Sequence, residues 1–325
     1  MKLHTPLYSV IIPVYNRPGE LTDLLESLVK QSFSDFEVVV VDDGSHQKSD
    51  EVVDRYREQL SIQYIYKPNS GPGPSRNMGF QYARGNFFVV FDSDCIIPPH
   101  YMETVDQALK QKKCDAWGGP DRGHEDFNAV QRATAYTMSS FFTTGGIRGG
   151  KKRLGQFQPR SFNMGLSRKV FEETGGFLFD RFAEDIELSI RMQKKGFRIC
   201  LIKDAFVYHK RRVNLKQFYR QVFNFGKGRV LVGRAHPGAV KLIHWIPAMF
   251  IFWILFGFCV VVIKPWFGLG LLGCVLFYLL ILGMDAGRVT RSFSVGLVAI
   301  PAALFQFWGY GMGFLREKLK FQQKN

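Results

Sequence analysis

The chain has 325 residues, of which 46% are hydrophobic and 22% charged, and its formal net charge is +15. This composition excludes a disordered or collagen-like chain, and the length is enough for about two domains. The charge is unevenly distributed, because residues 236–325 contain only eight basic and two acidic side chains. The C-terminal part is therefore expected to lie in a membrane.

Short β-rich runs alternate with helical patterns between residues 7 and 117, which is typical of βαβ units and a mostly parallel sheet. The predicted strands are Tyr8–Val14, Phe36–Val41, Ile62–Tyr66, Asn86–Phe91 and Cys114–Trp117. After the first strand, Asn16 can cap a helix and Pro18 can open it, and leucines follow at helical spacing. The sequence thus predicts an α/β fold with helices packed on the sheet.

The next part of the chain has a looser pattern. Residues 118–160 are Gly-rich and polar around a helix predicted at Phe127–Phe142, so we expect mobile loops near a site. A helix at Ala183–Lys195 and a strand at Arg198–Tyr208 follow.

Three apolar stretches are long enough to cross a bilayer and contain no Asp, Glu, Lys or Arg: Leu242–Ile263, Pro265–Met284 and Phe293–Leu315. No basic leader or cleavage site accompanies the apolar run Leu7–Val14, so we expect everything before residue 240 to be cytosolic. Three crossings would then place the basic tail outside, against the positive-inside tendency. Pro301 makes the third stretch a candidate for a break or a re-entrant segment.

The five cysteines show neither a CxxC pattern nor metal-ligand spacing. On a cytosolic face their thiols should stay reduced. We expect small buried apolar residues at all five positions: Cys95, Cys114, Cys200, Cys259 and Cys274.

A strongly basic stretch precedes the apolar segments. From Lys194 to Arg234 there are twelve Lys or Arg and one acid, Asp204. Aromatic and aliphatic residues interleave with the charges in Val213–Val232, which favours an amphipathic helix on an anionic lipid surface. Nucleic-acid binding fits the charge alone but explains neither the acidic motifs nor the apolar segments. We therefore expect membrane lipids, and no nucleic acid, as partners.

Two acidic turns follow apolar strands. Asp92-Ser93-Asp94 comes directly after Phe87–Phe91, at the sheet edge where ligands of open α/β folds bind. Two carboxylates one residue apart can share a divalent cation that also holds phosphate oxygens. Asp42-Asp43-Gly44-Ser45 follows another apolar strand, and a plain strand-ending turn is its alternative interpretation.

A third strand end presents Pro13, Tyr15 and Asn16, so three neighbouring ends could form a pocket for a nucleotide's base, ribose and diphosphate. The loop 69–74 is similar to a phosphate-binding loop but lacks the Gly-Lys-Ser/Thr of a Walker A. Arg76, which follows it, could neutralise ligand phosphate or cap the sheet edge.

Glu184-Asp185 opens a predicted helix. Acids there can complement the helix dipole, or can act as a general base that removes a proton from an attacking hydroxyl. His209 could complete a metal site or lie in a basic turn. The residues themselves leave both alternatives open.

Five motifs follow one another along the chain: Ser9-Val10-Ile11-Ile12-Pro13-Val14-Tyr15-Asn16, Val41-Asp42-Asp43-Gly44-Ser45, Arg76-Asn77-Met78-Gly79, Asp92-Ser93-Asp94 and Glu184-Asp185. In this order they resemble the family 2 glycosyltransferases of GT-A fold, which have a Rossmann-like, mostly parallel sheet. The resemblance covers about residues 7–232.

The resemblance implies inverting transfer from a nucleotide diphospho-sugar, with a UDP-sugar favoured, assisted by Mg²⁺ or Mn²⁺. Asp185 is implied as the catalytic base, with Glu184 beside it, and the metal ligands as Asp92, Asp94 and His209. The implied donor-binding residues are Pro13, Tyr15, Asn16, Arg17, Asp42, Asp43, Arg76, Asn77, Asp92, Ser93 and Asp94. Candidates for acceptor or diphosphate contacts are Trp117, Asn163, Arg212, Gln217 and Arg220, although packing explains Trp117 and Asn163 equally well.

The tail resembles membrane-bound members that build surface polysaccharide or glycolipid. Gln217-Phe218-Tyr219-Arg220-Gln221 is similar to the QxxRW element of processive synthases, but Gln221 stands where the family has Trp. We therefore expect transfer of one or a few sugars to a lipid-linked or glycan acceptor. The alternatives are a polyprenyl-phosphate glycosyltransferase, a processive synthase that gains channel helices from an oligomer or partner subunit, and a non-catalytic nucleotide-binding scaffold.

These inferences divide the chain into a cytosolic GT-A domain at residues 1–212, an interfacial helix at 213–235 and a membrane region at 236–325. The region's three hydrophobic segments are 242–263, 265–284 and 293–315. The resulting expectation is a multi-pass protein of the cytoplasmic membrane.

Overall fold

The structure, a computed structural model, describes residues 5–122, 127–144, 157–209 and 214–322. The chain divides into two compact units. The first comprises Met1–His124 and Phe157–Lys210, and the second comprises Glu125–Gln156 and Arg211–Asn325. The chain therefore leaves the first unit once for an insertion and again at its C-terminal end.

The strands of the described residues all lie in the first unit. They are β1 (Tyr8–Val14), β2 (Phe36–Asp42), β3 (Ile62–Tyr66), β4 (Phe87–Phe91), β5 (Cys95–Ile96), β6 (Ala116–Gly118), β7 (Asp121–Arg122), β8 (Asn163–Ser167), β9 (Ile199–Leu201) and β10 (Val207–His209). The five strands predicted before residue 118 are confirmed with small shifts at their ends. The strand expected at Arg198–Tyr208 is instead two short strands, β9 and β10.

Seven of these strands form one sheet, in the order β3-β2-β1-β4-β8-β6-β9. β1 is an interior strand and runs parallel to both neighbours, with Ile11 opposite Val39 on β2 and opposite Val90 on β4. β8 is antiparallel to β4 and β6, and β6 is parallel to β9. The expected mostly parallel sheet is confirmed. A smaller sheet has the order β5-β10-β7.

The helices of the first unit cover the seven-stranded sheet. They are α1 (Pro18–Val29), α2 (Asp50–Asp54), α3 (Pro72–Tyr82), α4 (Tyr101–Gln111), α7 (Arg168–Thr174) and α8 (Glu184–Lys194). One apolar cluster packs Leu21 and Leu25 of α1 on one face of the sheet, and a second packs Phe80 of α3 on the other. Because both faces are covered, β2 is buried at every position, and its middle is the apolar run Val38–Val41.

The helices of the second unit are α5 (Ala129–Ser139), α6 (Phe141–Thr144), α9 (Leu215–Ala235), α10 (Ile246–Ile263), α11 (Pro265–Thr290) and α12 (Phe293–Gln322), with a 3₁₀ turn at Leu242–Trp245. Among the described residues, three helical segments are long and apolar enough to cross a membrane: Leu242–Ile263, Pro265–Thr290 and Phe293–Lys320. They indicate membrane association. The third is one continuous helix through Pro301, so the break considered at this proline does not occur in the described backbone.

Close glycine contacts join α9 to α12 within the second unit. A Cβ added to Gly226 would meet the carbonyl oxygen of Tyr310, and one added to Gly313 would meet the carbonyl oxygen of Phe223. The predicted amphipathic helix is thus confirmed as a helix, and part of its apolar face is buried against α12. Its contact with a lipid surface stays a prediction.

The insertion after β7 packs with the apolar helices of the second unit. Tyr136 on α5 donates a hydrogen bond to Asp285 on α11, and Arg132 donates to the carbonyl oxygen of Thr290 at 2.7 Å. Tyr278 on α11 donates to the carbonyl oxygen of Phe142 at 2.6 Å. The helix predicted at Phe127–Phe142 is confirmed as α5 and α6, and residues 145–156 of the part expected as loops lie outside the described residues.

The prediction of five reduced, buried thiols is wrong for four cysteines. Cys114 and Cys200 form a disulfide bond, because β6 and β9 are neighbours although the two residues are 86 positions apart. Cys259 and Cys274 are exposed on the apolar helices α10 and α11. Only Cys95, among the described cysteines, is a free buried thiol.

Candidate active site

Polar side chains collect at the carboxyl ends of β1, β2 and β4, as expected for parallel neighbours. Tyr15, just after β1, is 45% exposed and so available to a ligand. Asp92 and Asp94 follow β4, and Asp42 and Asp43 end β2. The contacts of these four acids differ greatly.

Asp94 is the centre of one charged group. Its carboxylate is 6% exposed and accepts a hydrogen bond from Arg17 Nη1 to Oδ2 at 2.7 Å. The other oxygen, Oδ1, lies 3.0 Å from His209 Nε2. Strand pairing brings these groups together, since His209 on β10 is opposite Cys95 on β5.

A strained turn fixes the backbone that carries Arg17. Asn16 has a φ of 52°, in the left-handed region that Asn tolerates better than most residues. Its side-chain oxygen accepts hydrogen bonds from the amides of His46 at 2.7 Å and Gln47 at 3.1 Å. Pro18 then begins α1. Asn16 therefore positions the backbone of Arg17, and its side-chain oxygen is already engaged in these two hydrogen bonds.

Asp94, Cys95 and His209 offer ligand atoms that lie within 4.8 Å of one another. Burial raises the pKa of the Cys95 thiol well above its usual value, and the thiol donates to the carbonyl oxygen of Phe162 at 3.6 Å. Cys95 thus keeps its proton, which leaves a carboxylate and an imidazole as donors. His209 is also stacked on Phe162, with ring centroids 4.8 Å apart. The Asp94 carboxylate fits Mg²⁺ or Mn²⁺, which prefer oxygen ligands, and His209 would add one nitrogen ligand.

Asp92 belongs to a second charged group. Arg76, whose side chain is 2% exposed, donates to Asp92 Oδ1 at 2.7 Å and to Glu184 Oε1 at 2.8 Å. Burial raises the pKa of Glu184, while the Arg76 charge opposes that shift. Arg76 thus ties the turn after β4 to the start of α8. It is buried between two protein carboxylates, and its contact with a ligand phosphate stays a prediction.

Asp185 is more accessible than Glu184 at the start of α8. Its side chain is 14% exposed, and Oδ2 lies 3.6 Å from Arg160 Nη1. Its other oxygen accepts a hydrogen bond from the amide of Ile186 at 2.7 Å. The preceding Ala183 has a φ of 58°, so a sharp turn sets the direction in which the helix begins. Arg160 is thus the cation that faces this carboxylate.

Asp42 and Asp43 are held by protein donors. Asp42 accepts hydrogen bonds from Tyr64 Oη at 2.7 Å and from the amide of Ser45 at 2.8 Å. Asp43 forms a buried ion pair with Lys67 and accepts from the amide of Gly71 at 2.8 Å. Both acids are almost fully buried.

Three other predicted site residues are held in structural contacts. Asn77 exchanges two hydrogen bonds of 2.8 Å with the backbone of Phe177. Trp117 is fully buried, and Gly165 leaves room for its ring. Asn163 is fully buried, accepts from Tyr101 Oη at 2.6 Å and donates to Ala205 O at 2.9 Å. The packing interpretation of Trp117 and Asn163 is the one the structure supports.

The remaining predicted residues are outside this cluster of contacts. Pro13 is half-buried at the end of β1, and Ser93 is buried between the two acids. Gln217 and Arg220 are exposed on α9 of the second unit. Arg212 lies outside the described residues.

Sequence reasoning did not assign a role to Lys67 and did not connect Arg160 with Asp185. Lys67 follows β3, whose last residue, Tyr66, is opposite Asp42 on β2. That strand order would have placed Lys67 beside the acidic turn. Arg160 precedes β8 by three residues and carries no local signal, because its contact with Asp185 depends on the tertiary fold.

Comparison with solved structures identifies the fold. The chain is similar to the mannosyltransferase PcManGT from Pyrobaculum calidifontis, solved in complex with GDP-Man and Mn²⁺, with a TM-score of 0.64 and 18% identity. The likeness covers 94% of this chain and 88% of that one. At this identity it shows a shared fold.

Two curated relatives match the N-terminal part. Glycosyltransferase GlyG of Streptococcus pneumoniae is 32% identical over 111 residues, which are 34% of this chain and 37% of the relative. Poly(ribitol-phosphate) beta-N-acetylglucosaminyltransferase TarS of Staphylococcus aureus is 42% identical over 91 residues, 27% of this chain and 16% of TarS. The chain thus matches well under half the length of each relative.

The sequence profile described as "Glycosyl transferase family 2" matches residues 9–175, just over half of the chain. This range contains the turns after β1, β2 and β4 and the buried Arg76. The chain belongs to glycosyl transferase family 2.

Proposed function

We propose that this protein is an inverting, metal-dependent glycosyltransferase that moves a sugar from a nucleotide diphospho-sugar to a hydroxyl of a lipid-linked or glycan acceptor at the cytoplasmic membrane face. The observation that carries the proposal is the charged cluster at the carboxyl edge of the parallel sheet. There Asp94 and His209 form a divalent-cation donor pair, and Arg76 ties the same acidic turn to the helix that begins Glu184-Asp185.

Asp94 and His209 are the residues that would hold Mg²⁺ or Mn²⁺, and the cation would neutralise charge on the departing diphosphate. The carboxylate oxygens of Asp94 suit either ion. The mannosyltransferase of the same fold was solved with GDP-Man and Mn²⁺, which supports a nucleotide sugar and a divalent cation in this chain also. Tyr15, exposed at the same edge, offers a ring on which the nucleotide base can stack.

Asp185 is the proposed base. The acceptor oxygen forms a bond to the anomeric carbon as the bond from that carbon to the diphosphate oxygen breaks, and the hydroxyl proton passes to Asp185. The nucleoside diphosphate leaves with the bonding electron pair. One in-line displacement inverts the anomeric centre. Arg160 Nη1 lies 3.6 Å from Asp185 Oδ2 and can help to hold the carboxylate in place.

The lipid-linked acceptor is supported by the second unit. The insertion that leaves the first unit after β7 groups with the apolar helices, and Tyr136 and Arg132 bond to α11 there. A segment between two catalytic-domain strands is thus fixed to helices with the length and composition of membrane spans. Such a chain path suits an acceptor that arrives from the membrane.

Release of nucleoside diphosphate tests the transferase. We would assay the full chain in membranes with a panel of sugar nucleotides, with and without Mg²⁺ or Mn²⁺, and with lipid extract as acceptor. The expected result is metal-dependent release from one donor that is lost in Asp94→Ala. A full panel without release would contradict the proposal and would favour the non-catalytic scaffold.

The acceptor class is tested with Asp185→Asn. A hydroxyl acceptor must lose a proton, so this variant should lower kcat about 10²–10⁴-fold with little change in donor KM. A phosphate acceptor is already ionised, so a polyprenyl-phosphate transferase would lose little. Glu173→Gln, which alters an exposed acid paired at the surface with Lys169, is a matched control that should keep full activity.

Product length separates single addition from polymerisation. A purified chain that adds one or a few sugars should convert a lipid-linked acceptor to products of discrete mass. A long homopolymer would instead identify a processive synthase.

Labelling of a cysteine introduced at the C-terminus in intact cells would report which side of the membrane the tail occupies.

A further inference from the structure

We propose that Arg17 competes with the divalent cation for Asp94, so that the cation binds weakly by itself and strongly together with a nucleoside diphosphate. This inference rests on the proposed function, because it concerns the same carboxylate. It assigns to Arg17 a role in coupling two ligands, which goes beyond contact with the donor.

Both oxygens of Asp94 lie close to a nitrogen atom. Arg17 Nη1 is 2.7 Å from Oδ2, and His209 Nε2 is 3.0 Å from Oδ1. With only 6% of the carboxylate exposed, there is little space for a third group. A guanidinium and a divalent cation on one carboxylate would also repel each other. Binding of the cation therefore requires Arg17 to withdraw.

The two neighbours of Asp94, His209 and Arg17, differ in how freely they can move. His209 and the residue after Asp94 are fixed by the pairing of β10 with β5. The backbone at Arg17 is fixed by the Asn16 turn and Pro18, but the Arg17 side chain is 36% exposed. The guanidinium can thus reach water by side-chain rotation alone. Among the described contacts of Asp94, Arg17 is the partner that can be exchanged.

Once released from Asp94, the Arg17 side chain can bind a phosphate group. Arginine pairs well with phosphate oxygens, because its planar fork matches them with two parallel hydrogen bonds. A diphosphate that arrives with the cation gives Arg17 a new partner near the one it loses. A cation alone gives it none. The two ligands should therefore strengthen each other's binding, by the same factor in either order.

The test is a Mn²⁺ titration followed by the electron paramagnetic resonance of free Mn²⁺, with the metal alone and then with UDP or GDP. Arg17→Gln should bind Mn²⁺ alone roughly tenfold more tightly than the wild type, about 1.4 kcal/mol. The nucleotide should raise Mn²⁺ affinity less in this variant than in the wild type. Arg17→Lys, which keeps the charge, should bind Mn²⁺ within about threefold of the wild type, a difference of less than about 1 kcal/mol.

Arg84→Gln is a matched control, since Arg84 forms a 2.7 Å ion pair with the buried Glu37 away from the site. It should leave Mn²⁺ affinity unchanged. Equal affinity in Arg17→Gln and the wild type, or equal tightening in Arg17→Gln and Arg17→Lys, would overturn the inference. If Arg17→Gln fails to fold, the test is the increase in Mn²⁺ affinity that the nucleotide causes in the wild type and in Arg17→Lys. If neither protein shows this increase, the inference is overturned.

The outcomes also separate this inference from the proposed function. Mn²⁺ binding that disappears in Asp94→Asn but is unchanged in Arg17→Gln would overturn the proposed competition. It would not contradict the proposed transferase function. Mn²⁺ binding by none of the variants would overturn both the competition and the metal dependence. The nucleoside diphosphate release assay would then test the transferase activity independently of Mn²⁺ binding.

Discussion

The acidic turns after β2 and β4 have similar sequences but different surroundings. Asp42 and Asp43 end one apolar strand, and Asp92 and Asp94 follow another two strands away in the same sheet. Asp43 is surrounded by backbone amides and the buried Lys67. Asp94 meets Arg17, which is partly exposed, and His209.

We infer from this difference that the partners of an acid, more than the acid itself, indicate whether its turn has a structural or a binding role. Backbone amides cannot move away without unfolding the loop, and a buried lysine has no access to water. A partly exposed arginine can exchange its partner at low cost. We therefore expect substitutions at the first turn to lower stability and substitutions at the second to lower activity.

The largest expected effect is on stability at the first turn. Asp43→Asn should lower the free energy of unfolding by about 3–5 kcal/mol, because it leaves the charge of Lys67 buried without its partner. Thermal or denaturant unfolding of the purified protein measures this. Asp54→Asn, which breaks an exposed 2.6 Å pair with Arg57, should cost about 1 kcal/mol or less.

The double variant Asp43→Asn/Lys67→Met sharpens this prediction. Removing both charges should restore much of the lost stability, since neither partner is then left buried and unpaired. If the single variant is as stable as the wild type, the first turn is not the rigid structural element that its contacts indicate.

The second effect is on activity at the second turn. Asp94→Asn should reduce the rate of nucleoside diphosphate release about 10²–10³-fold, because it removes an electrostatic contact to the site of charge development. Its free energy of unfolding should change by about 1 kcal/mol or less, since Arg17 can turn to solvent. A stability loss as large as that of Asp43→Asn would remove the contrast between the turns.

A third, intermediate effect is expected where the second turn meets α8. Arg76→Met should leave Asp92 and Glu184 without their shared cation, and it should lower stability by about 3 kcal/mol. Release of the constraint should also lower kcat more than it raises donor KM. Steady-state kinetics beside an unfolding curve distinguish this positioning role from loss of fold alone.

The smallest effect is the loss of one neutral donor at the first turn. Burial, with the hydrogen bond to Asp42, raises the pKa of Tyr64, so its hydroxyl stays a donor at neutral pH. Tyr64→Phe should cost about 1 kcal/mol of stability and leave activity unchanged. Tyr66→Phe on the same strand, where the side chain is exposed, is the control and should change neither. A large loss of activity in Tyr64→Phe would contradict the structural assignment of Asp42.

Most of the fold could be predicted from the sequence. The strands β1 to β4 are short and rich in apolar and β-branched residues, and the leucines of α1 keep helical spacing, so local pattern and burial agree. The strand at Arg198–Tyr208 was predicted less well. The segment forms two short strands because β9 pairs with β6 and β10 pairs with β5. Both partner strands are remote in sequence.

The candidate site divides in the same way. The sequence by itself determined the acids, because Asp92, Asp94 and Asp185 stand where apolar strands or a helix begin or end, and this local pattern fixes which residues reach the sheet edge. Only the tertiary structure decided their partners. Arg17, Arg76 and His209 are 77, 16 and 115 positions from the acids they meet. Charge pairing acts through space at about 3 Å, and no local pattern in the chain encodes that distance.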